Sequence, residues 1–523
     1  MRLRIAHVAL NLQLLVSVCC STSFASDYFL TLGGGYAPQA NQASLEANVL
    51  FFQQVLAIRQ LSGEPHRIYF ADGFDDQQDV QVLKKNPPNS SPVISQLSSI
   101  FRRDRDELIY RNHQVAKISG GIRITEIREE LRSISDQLRS GDRLFVYVTA
   151  HGGSARKGEG QNTSITCWGN KPLSMTEFSR WLDDLPADVS VVSVMAQCYC
   201  GGFANTIFQG GDPGNGFAAN NRCGFFAQQA DLPAAGCRPD VENDEEYSSY
   251  FWGAFAGHSR TGNSVGNVDC DKNGRVSLAE AHAYATVASN TIDIPLRTSD
   301  LLLRRYSRIA GYDIARFEAK HEELAVRNEV YETPQINSSP TLAYLSGTIY
   351  DVAARGRPDE TRMIIGLAEK LDVPVSMTVT ELTELYEQQK LVLSDARRSG
   401  PRRGRGFSSR RRLMASIIEK WPELEDPKQW ANSPLLAEAN QAAFADELQQ
   451  LPDYLAYMKM QDEREAAQTR VTDAELREVK FRRILQQLES IVLAQNLALV
   501  AAPEIVEHFH RIREAEEGYF GNS

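Results

Sequence analysis

Short apolar runs closed by Gly or polar residues recur through the first part of the chain, at 28–32, 67–71, 143–149, 189–196 and 224–228. Runs of that length without polar alternation predict strands buried on both faces, the kind found in parallel sheets. Between them, residues 45–60, 125–138 and 174–182 space their apolar side chains for one face of a helix. The alternation predicts an α/β three-layer sandwich around a mostly parallel sheet, with ligands bound beyond the carboxyl ends of the strands.

The texture changes after residue 331. Residues 333–341 (TPQINSSPT) read as a linker, and the chain beyond them is mostly helical in pattern. Thr472 and Glu475 are spaced as a capping box, and Leu476, Val479, Ile484, Leu488 and Ile491 then recur near helical spacing. The expectation is a first domain over 26–332 and an α-helical C-terminal domain over 342–523. Within the second, 397–412 carries eight Arg among Gly, Ser and Pro. This predicts a loop that is either plainly solvated, a patch for an anionic partner, or a protease-sensitive activation segment.

Composition narrows the class. With 523 residues, 42% hydrophobic and 24% charged, the chain has the make-up of a folded globular protein. A formal net charge of −11 argues against a nucleic-acid-binding surface. The N-terminus pairs Arg2 and Arg4 with an apolar run from Val8 to Val18 and small residues at Ser23 and Ala25. That is a signal-peptide pattern over 1–25, and it predicts export to the periplasm or secretion. No later segment is apolar and long enough to span a bilayer. Six cysteines lie beyond the signal: Cys167, Cys198, Cys200, Cys223, Cys237 and Cys270. An exported compartment permits disulfides, and Cys223 with Cys237 is one candidate pair.

Two of the apolar runs deliver reactive side chains. The first leads from Leu144 to His151-Gly152-Gly153, and the second from Val191 to Cys198-Tyr199-Cys200-Gly201-Gly202. Neighbouring parallel strands bring such ends to one rim. A thiol attacks only as thiolate, so it needs a base beside it, and His151 would serve Cys198. Glycines after each residue allow close approach of a substrate backbone and leave N–H groups available to an oxyanion.

These residues carry a resemblance. The stretch from Ser140-Gly141-Asp142-Arg143 to Ala150-His151-Gly152 resembles the legumain strand that ends in Thr-Asp-His-Gly. Cys198-x-Cys200-Gly201 is similar to the legumain Cys-x-Ser-Gly, and Phe29 to Tyr36 is similar to that family's first strand and turn. His151 and Cys198 are 47 positions apart, near the spacing of roughly 50 seen in caspases. The resemblance covers about 28–290. It implies a caspase-like fold and a cysteine endopeptidase acting on a polypeptide substrate through a thioester acyl-enzyme. His151 would be the base, Cys198 the nucleophile, and the N–H groups of Gly152 and Cys198 the oxyanion hole. It also implies that Gln228, Gln229 and Asp231 lie near the first specificity pocket, where Asp231 would either favour a basic residue or face solvent. By analogy with legumains, the C-terminal helical domain would regulate the active site from within the chain. Ala150 and Ala196 replace the Asp and Glu of legumains, and Cys200 replaces the Ser, so no asparagine or aspartate specificity is implied. The same dyad would also suit a transamidase, and the replacements would suit a catalytically silent scaffold.

A second motif lies downstream. Asp269, Asp271, Asn273, Arg275 (through its carbonyl), Ser277 and Glu280 occupy the ligand positions of a twelve-residue EF-hand loop, with Gly274 at its sharp turn. The segment before it is not helical and the segment after it is. The expectation is a half EF-hand holding one structural Ca2+.

Overall fold

The computed structural model describes residues 25–83, 91–101, 108–236, 246–311, 342–399 and 405–521. The signal-peptide pattern, apart from Ala25, and the 333–341 linker lie outside these residues, as does Cys237 of the candidate disulfide.

The strands are β1 (Asp27–Gly34), β2 (His66–Phe70), β3 (Val80–Leu83), β4 (Leu108–Arg111), β5 (Arg143–Gly153), β6 (Ser164–Cys167), β7 (Lys171–Ser174), β8 (Ser190–Met195), β9 (Asn221–Phe226) and β10 (Leu296–Arg297). Before the linker the helices are α1 (Ala43–Ile58), α2 (Pro92–Phe101), α3 (Ile124–Gln137), α4 (Met175–Asp183), α5 (Tyr247–Ala256), α6 (Leu278–Ala288) and α7 (Thr298–Tyr306). Beyond it come α8 (Ile349–Ala353), α9 (Pro358–Leu371), α10 (Val379–Ser399), α11 (Arg405–Lys420), α12 (Gln441–Gln449), α13 (Pro452–Val500) and α14 (Pro503–Glu516).

The main sheet runs β10-β9-β8-β5-β1-β2, with β6 and β7 as a hairpin extension of β5. Its central strands are parallel, and only β10 pairs antiparallel along that path. Val, Leu and Phe fill the middles of β1, β5 and β8, which are buried on both faces. The chain steps one way along the sheet from β1 to β2 and the other way from β2 to β5. Right-handed crossovers therefore place α1 on one face and α3 on the other. Accordingly α1 packs with α5, and α3 with α4. The coarse class is α/β with a mostly parallel sheet and a helical C-terminal region.

Several boundaries differ from the sequence pattern. β5 continues through His151 to Gly153, because β6 pairs with it there. β9 begins at Asn221, before the apolar run, because Arg222 is buried and its guanidinium finds Asp183 and the Thr206 carbonyl. Thr472 caps no helix: it lies inside α13, which starts at Pro452 and runs 49 residues, about 74 Å. Residues 452–468 hold no β-branched residue and are rich in Glu, Gln, Met and Ala, so propensity carries the helix through Thr469, Val471 and Thr472. The Arg-rich segment is helical on both sides, in α10 and α11.

The core crosses the expected domain boundary. Phe29, Val146 and Phe225 of the sheet belong to one apolar cluster with Ile349, Leu367, Leu382, Ile484, Leu488, Ile491 and Phe520. A second cluster joins Leu97 and Ile100 of α2 to Leu413, Ile417, Trp421, Phe444, Leu448 and Tyr454. α13 threads both.

Candidate active site

The register of the sheet aligns the two reactive strand ends. Val148 of β5 pairs with Met195 of β8, and the Ala196 N–H donates to the Val148 carbonyl. His151 and Cys198 stand three residues beyond each member of that rung. Gly152 then packs against the backbone of Cys198: a Cβ there would stand 1.9 Å from the Cys198 carbonyl oxygen. Only glycine fits this approach. His151, Gly152 and Cys198 are thus brought to one rim, as the sequence predicts.

The turn after Cys198 is strained. Tyr199 adopts φ 61°, ψ 15°, and its N–H donates to the Leu232 carbonyl at 3.0 Å. A non-glycine residue in that region is uncommon and is held by its surroundings.

His151 is oriented from the opposite side. Its Nε2 lies 2.8 Å from the Ala40 carbonyl and 3.0 Å from Gln42 Oε1. A carbonyl can only accept, so Nε2 carries the proton and Nδ1 is left with its lone pair. The Tyr36 ring meets the imidazole edge-on at 5.3 Å. Burial lowers the imidazole pKa, opposed by the bond to Ala40. The ring is therefore a neutral base at neutral pH.

Cys198 is engaged by the segment after β9. The Ala234 N–H donates to Sγ at 3.3 Å, and the thiol lies 3.7 Å from the Ala234 carbonyl. His151 and Cys198 do not hydrogen-bond to each other in this arrangement. Burial raises the thiol pKa; the Ala234 contact opposes that rise and the Asp293 charge adds to it. The resting pair is thus a thiol and a neutral imidazole. Asp293 is fully buried and accepts from the Ala235 N–H at 2.8 Å. Cys200 is also fully buried and sits against the backbone of Gln228, where burial pushes its thiol pKa well up. It is a packed side chain, without thiolate character.

The predicted pocket residues lie in the same segment with different surroundings. Gln228 is 1% exposed, and its amide spans the Pro233 and Ile292 carbonyls and the N–H groups of Gln229 and Ile294. Gln229 is half-buried and reaches the Ile294 carbonyl and Gln486 Oε1 on α13. Asp231 is half-buried. Ala40, Gln42, Ala234 and Asp293 carry no mark in the sequence, because three of them act through backbone groups or an amide side chain. The one hint is Gly33-Gly34-Gly35, which signals a crowded turn just ahead of residues 36–42.

The second motif forms a compact loop. Ligand oxygens of Asp269, Asp271 and Glu280 all lie within 4.8 Å of one another. Asp269 accepts from the N–H groups of Asn273 and Gly274, which hold its carboxyl pKa low. Asn273 Nδ2 donates to Asp271 and to the Tyr519 hydroxyl. The Arg275 guanidinium lies 3.6 Å over the Tyr519 ring. Ser277 caps α6 reciprocally with Glu280. Three convergent carboxylates with a sharp glycine turn fit a divalent cation that prefers oxygen ligands.

No family model and no curated protein matches this chain. Among solved structures, protein GSU0716 from Geobacter sulfurreducens is similar over 52% of this chain and 92% of that one, at 10% identity and a TM-score of 0.30. That likeness carries no argument about function. Among the described residues no helix is long and apolar enough to cross a membrane.

Proposed function

We propose that this chain is an exported cysteine endopeptidase of caspase-like fold, in which His151 takes the proton of the Cys198 thiol and the thiolate attacks a peptide carbonyl. The observation that carries the reading is the Ala40 carbonyl 2.8 Å from His151 Nε2, which assigns the ring proton to that nitrogen. Its Nε2–H is committed to Ala40, so Nδ1 is the basic atom on a buried, neutral ring at the same rim as the thiol. In the attack the S–C bond forms as the carbonyl π bond opens. Collapse then expels the amine, protonated by the imidazolium, and leaves a thioester that water hydrolyses. The N–H groups of Gly152 and Cys198 are assigned to the oxyanion.

One Ca2+ at the 269–280 loop accompanies this reading, held by Asp269, Asp271, Asn273, Ser277, Glu280 and the Arg275 carbonyl. Its contribution is structural: it would neutralise three converging carboxylates beside the C-terminal residues. Regulation by the C-terminal helices has one point of support, the contact between Gln229 and Gln486.

A second reading, a catalytically silent scaffold, is favoured by the hold of Ala234 on the Cys198 thiol. The decisive experiment is cleavage of a peptide library by wild type and by Cys198→Ala, together with a thiol-directed activity probe. Cleavage lost in the variant and labelling at Cys198 support the peptidase. Equal cleavage by both proteins rejects it.

A further inference from the structure

We propose that Asn41 and Asp79 are positioning residues that fix the proton of His151 on Nε2 and leave Nδ1 as the base; the inference rests on the dyad proposed above. Asn41 is fully buried between the two residues that hold the imidazole, Ala40 through its carbonyl and Gln42 through its side chain. Every polar group of Asn41 is committed. Its Oδ1 accepts from the Gly35 N–H at 2.9 Å and its Nδ2 donates to Asp79 Oδ2 at 2.8 Å. Its N–H donates to the Pro38 carbonyl and its carbonyl accepts from the Gln81 N–H. Four bonds therefore pin the one residue that links both acceptors of His151. The carbonyl has no slack either, since a Cβ on Gly35 would stand 2.0 Å from the Ala40 oxygen.

Asp79 is 1% exposed, its Oδ2 accepts from Asn41, and its carboxyl also shares a hydrogen bond with the neighbouring buried carboxyl of Asp72. By accepting from Nδ2, Asp79 selects the amide orientation that points Oδ1 of Asn41 at Gly35. The neighbouring Asp72, also buried, meets Asp79 but bonds no atom of Asn41, so it cannot replace Asp79 as the anchor.

The test reads the ring itself, not peptide cleavage. Nitrogen-15 spectra of histidine-labelled wild type should show His151 protonated at Nε2 and bare at Nδ1 near neutral pH. A ring protonated at Nδ1 overturns the proposal whatever the variants do. Asn41→Ala and Asp79→Ala should each give a mixture of tautomers and slow alkylation of Cys198 by iodoacetamide roughly tenfold or more. Asp79→Asn keeps an oxygen for Asn41 Nδ2 and should restore both readings to near wild type. Folded alanine variants with an unmixed tautomer and unaltered alkylation also overturn it. Failure of the peptidase reading shows separately, as wild type that cleaves nothing while its His151 ring is protonated at Nε2.

Discussion

At the rim of the sheet, single atoms decide what His151 and Cys198 can do. Asp293 is fully buried and its charge raises the Cys198 pKa, after burial itself. Asp293→Asn keeps an acceptor for the Ala235 N–H and removes the charge. The alkylation rate of Cys198 should then rise at a lower pH than in wild type, and an unshifted profile would mean the charge is not felt at sulfur. Gly152→Ala places a methyl 1.9 Å from the Cys198 oxygen, so it should abolish labelling by an activity probe while leaving most of the fold intact by circular dichroism. A buried histidine away from the site sets an acid limit. His282 is fully buried, with Nδ1 against the Tyr247 hydroxyl and Nε2 unpartnered. Burial, and then the Arg297 charge, lower its pKa to about 3. Its folded pKa is depressed, so this stability is complete above the ordinary value near 6.5 and drains as pH falls toward about 3. The loss is on the order of 5 kcal/mol. Urea titrations of His282→Phe should show a shallower fall in stability between about pH 6.5 and 4 than wild type.

Among elements, the buried charge cluster around β10 joins the sheet to the C-terminal helices. Arg297 is fully buried and bonds Asp359 at 3.0 Å and Glu360 at 3.1 Å on α9, while Arg513 of α14 reaches Glu360 at 2.6 Å. Removing Arg297 strands several buried carboxylates, so Arg297→Met should destabilise by about 3–5 kcal/mol in chemical denaturation. No periodicity announces such a cluster, since its members are scattered over β10, α7, α9 and α14. The strands buried on both faces, β1, β5 and β8, were legible, because a short apolar run is their direct consequence. The β6–β7 hairpin was not legible: SITC and KPLS are too short to establish a period. Nor was α5, whose YSSYFWGAFA is apolar all round and buried on nearly every side. At the site, His151 and Cys198 were legible because they end such runs. Ala40 and Ala234 were not, because a carbonyl or an N–H looks the same on any residue.

For the whole molecule, residues 518–521 close onto the 269–280 loop and the sheet together. The Leu278 N–H donates to the Gly518 carbonyl, Tyr519 bridges Ser277, and Arg143 of β5 donates to the Tyr519 carbonyl. Phe520 then inserts among Phe29, Phe52, Phe145, Trp252 and Phe255, 1% exposed. Emptying that position leaves a cavity in the core that β1 and β5 share, and Phe520→Ala should cost about 3–5 kcal/mol. Tyr519→Ala has a different signature. It removes the partner of Asn273 and the ring beneath Arg275, both on the 269–280 loop, while leaving the Phe520 plug in place. If Ca2+ binds that loop, it stabilises the folded chain by mass action, and thermal unfolding should move up by several degrees between excess chelator and about 100 Kd of free ion. Because the ordered loop and the ordered terminus support each other, the coupling is reciprocal. The calcium-dependent rise should therefore shrink in Tyr519→Ala, and wild type in chelator should lose residues 518–523 to carboxypeptidase faster than the calcium-loaded chain. Equal digestion with and without calcium would separate the terminus from the loop, and an unmoved Tm in wild type would remove the ion.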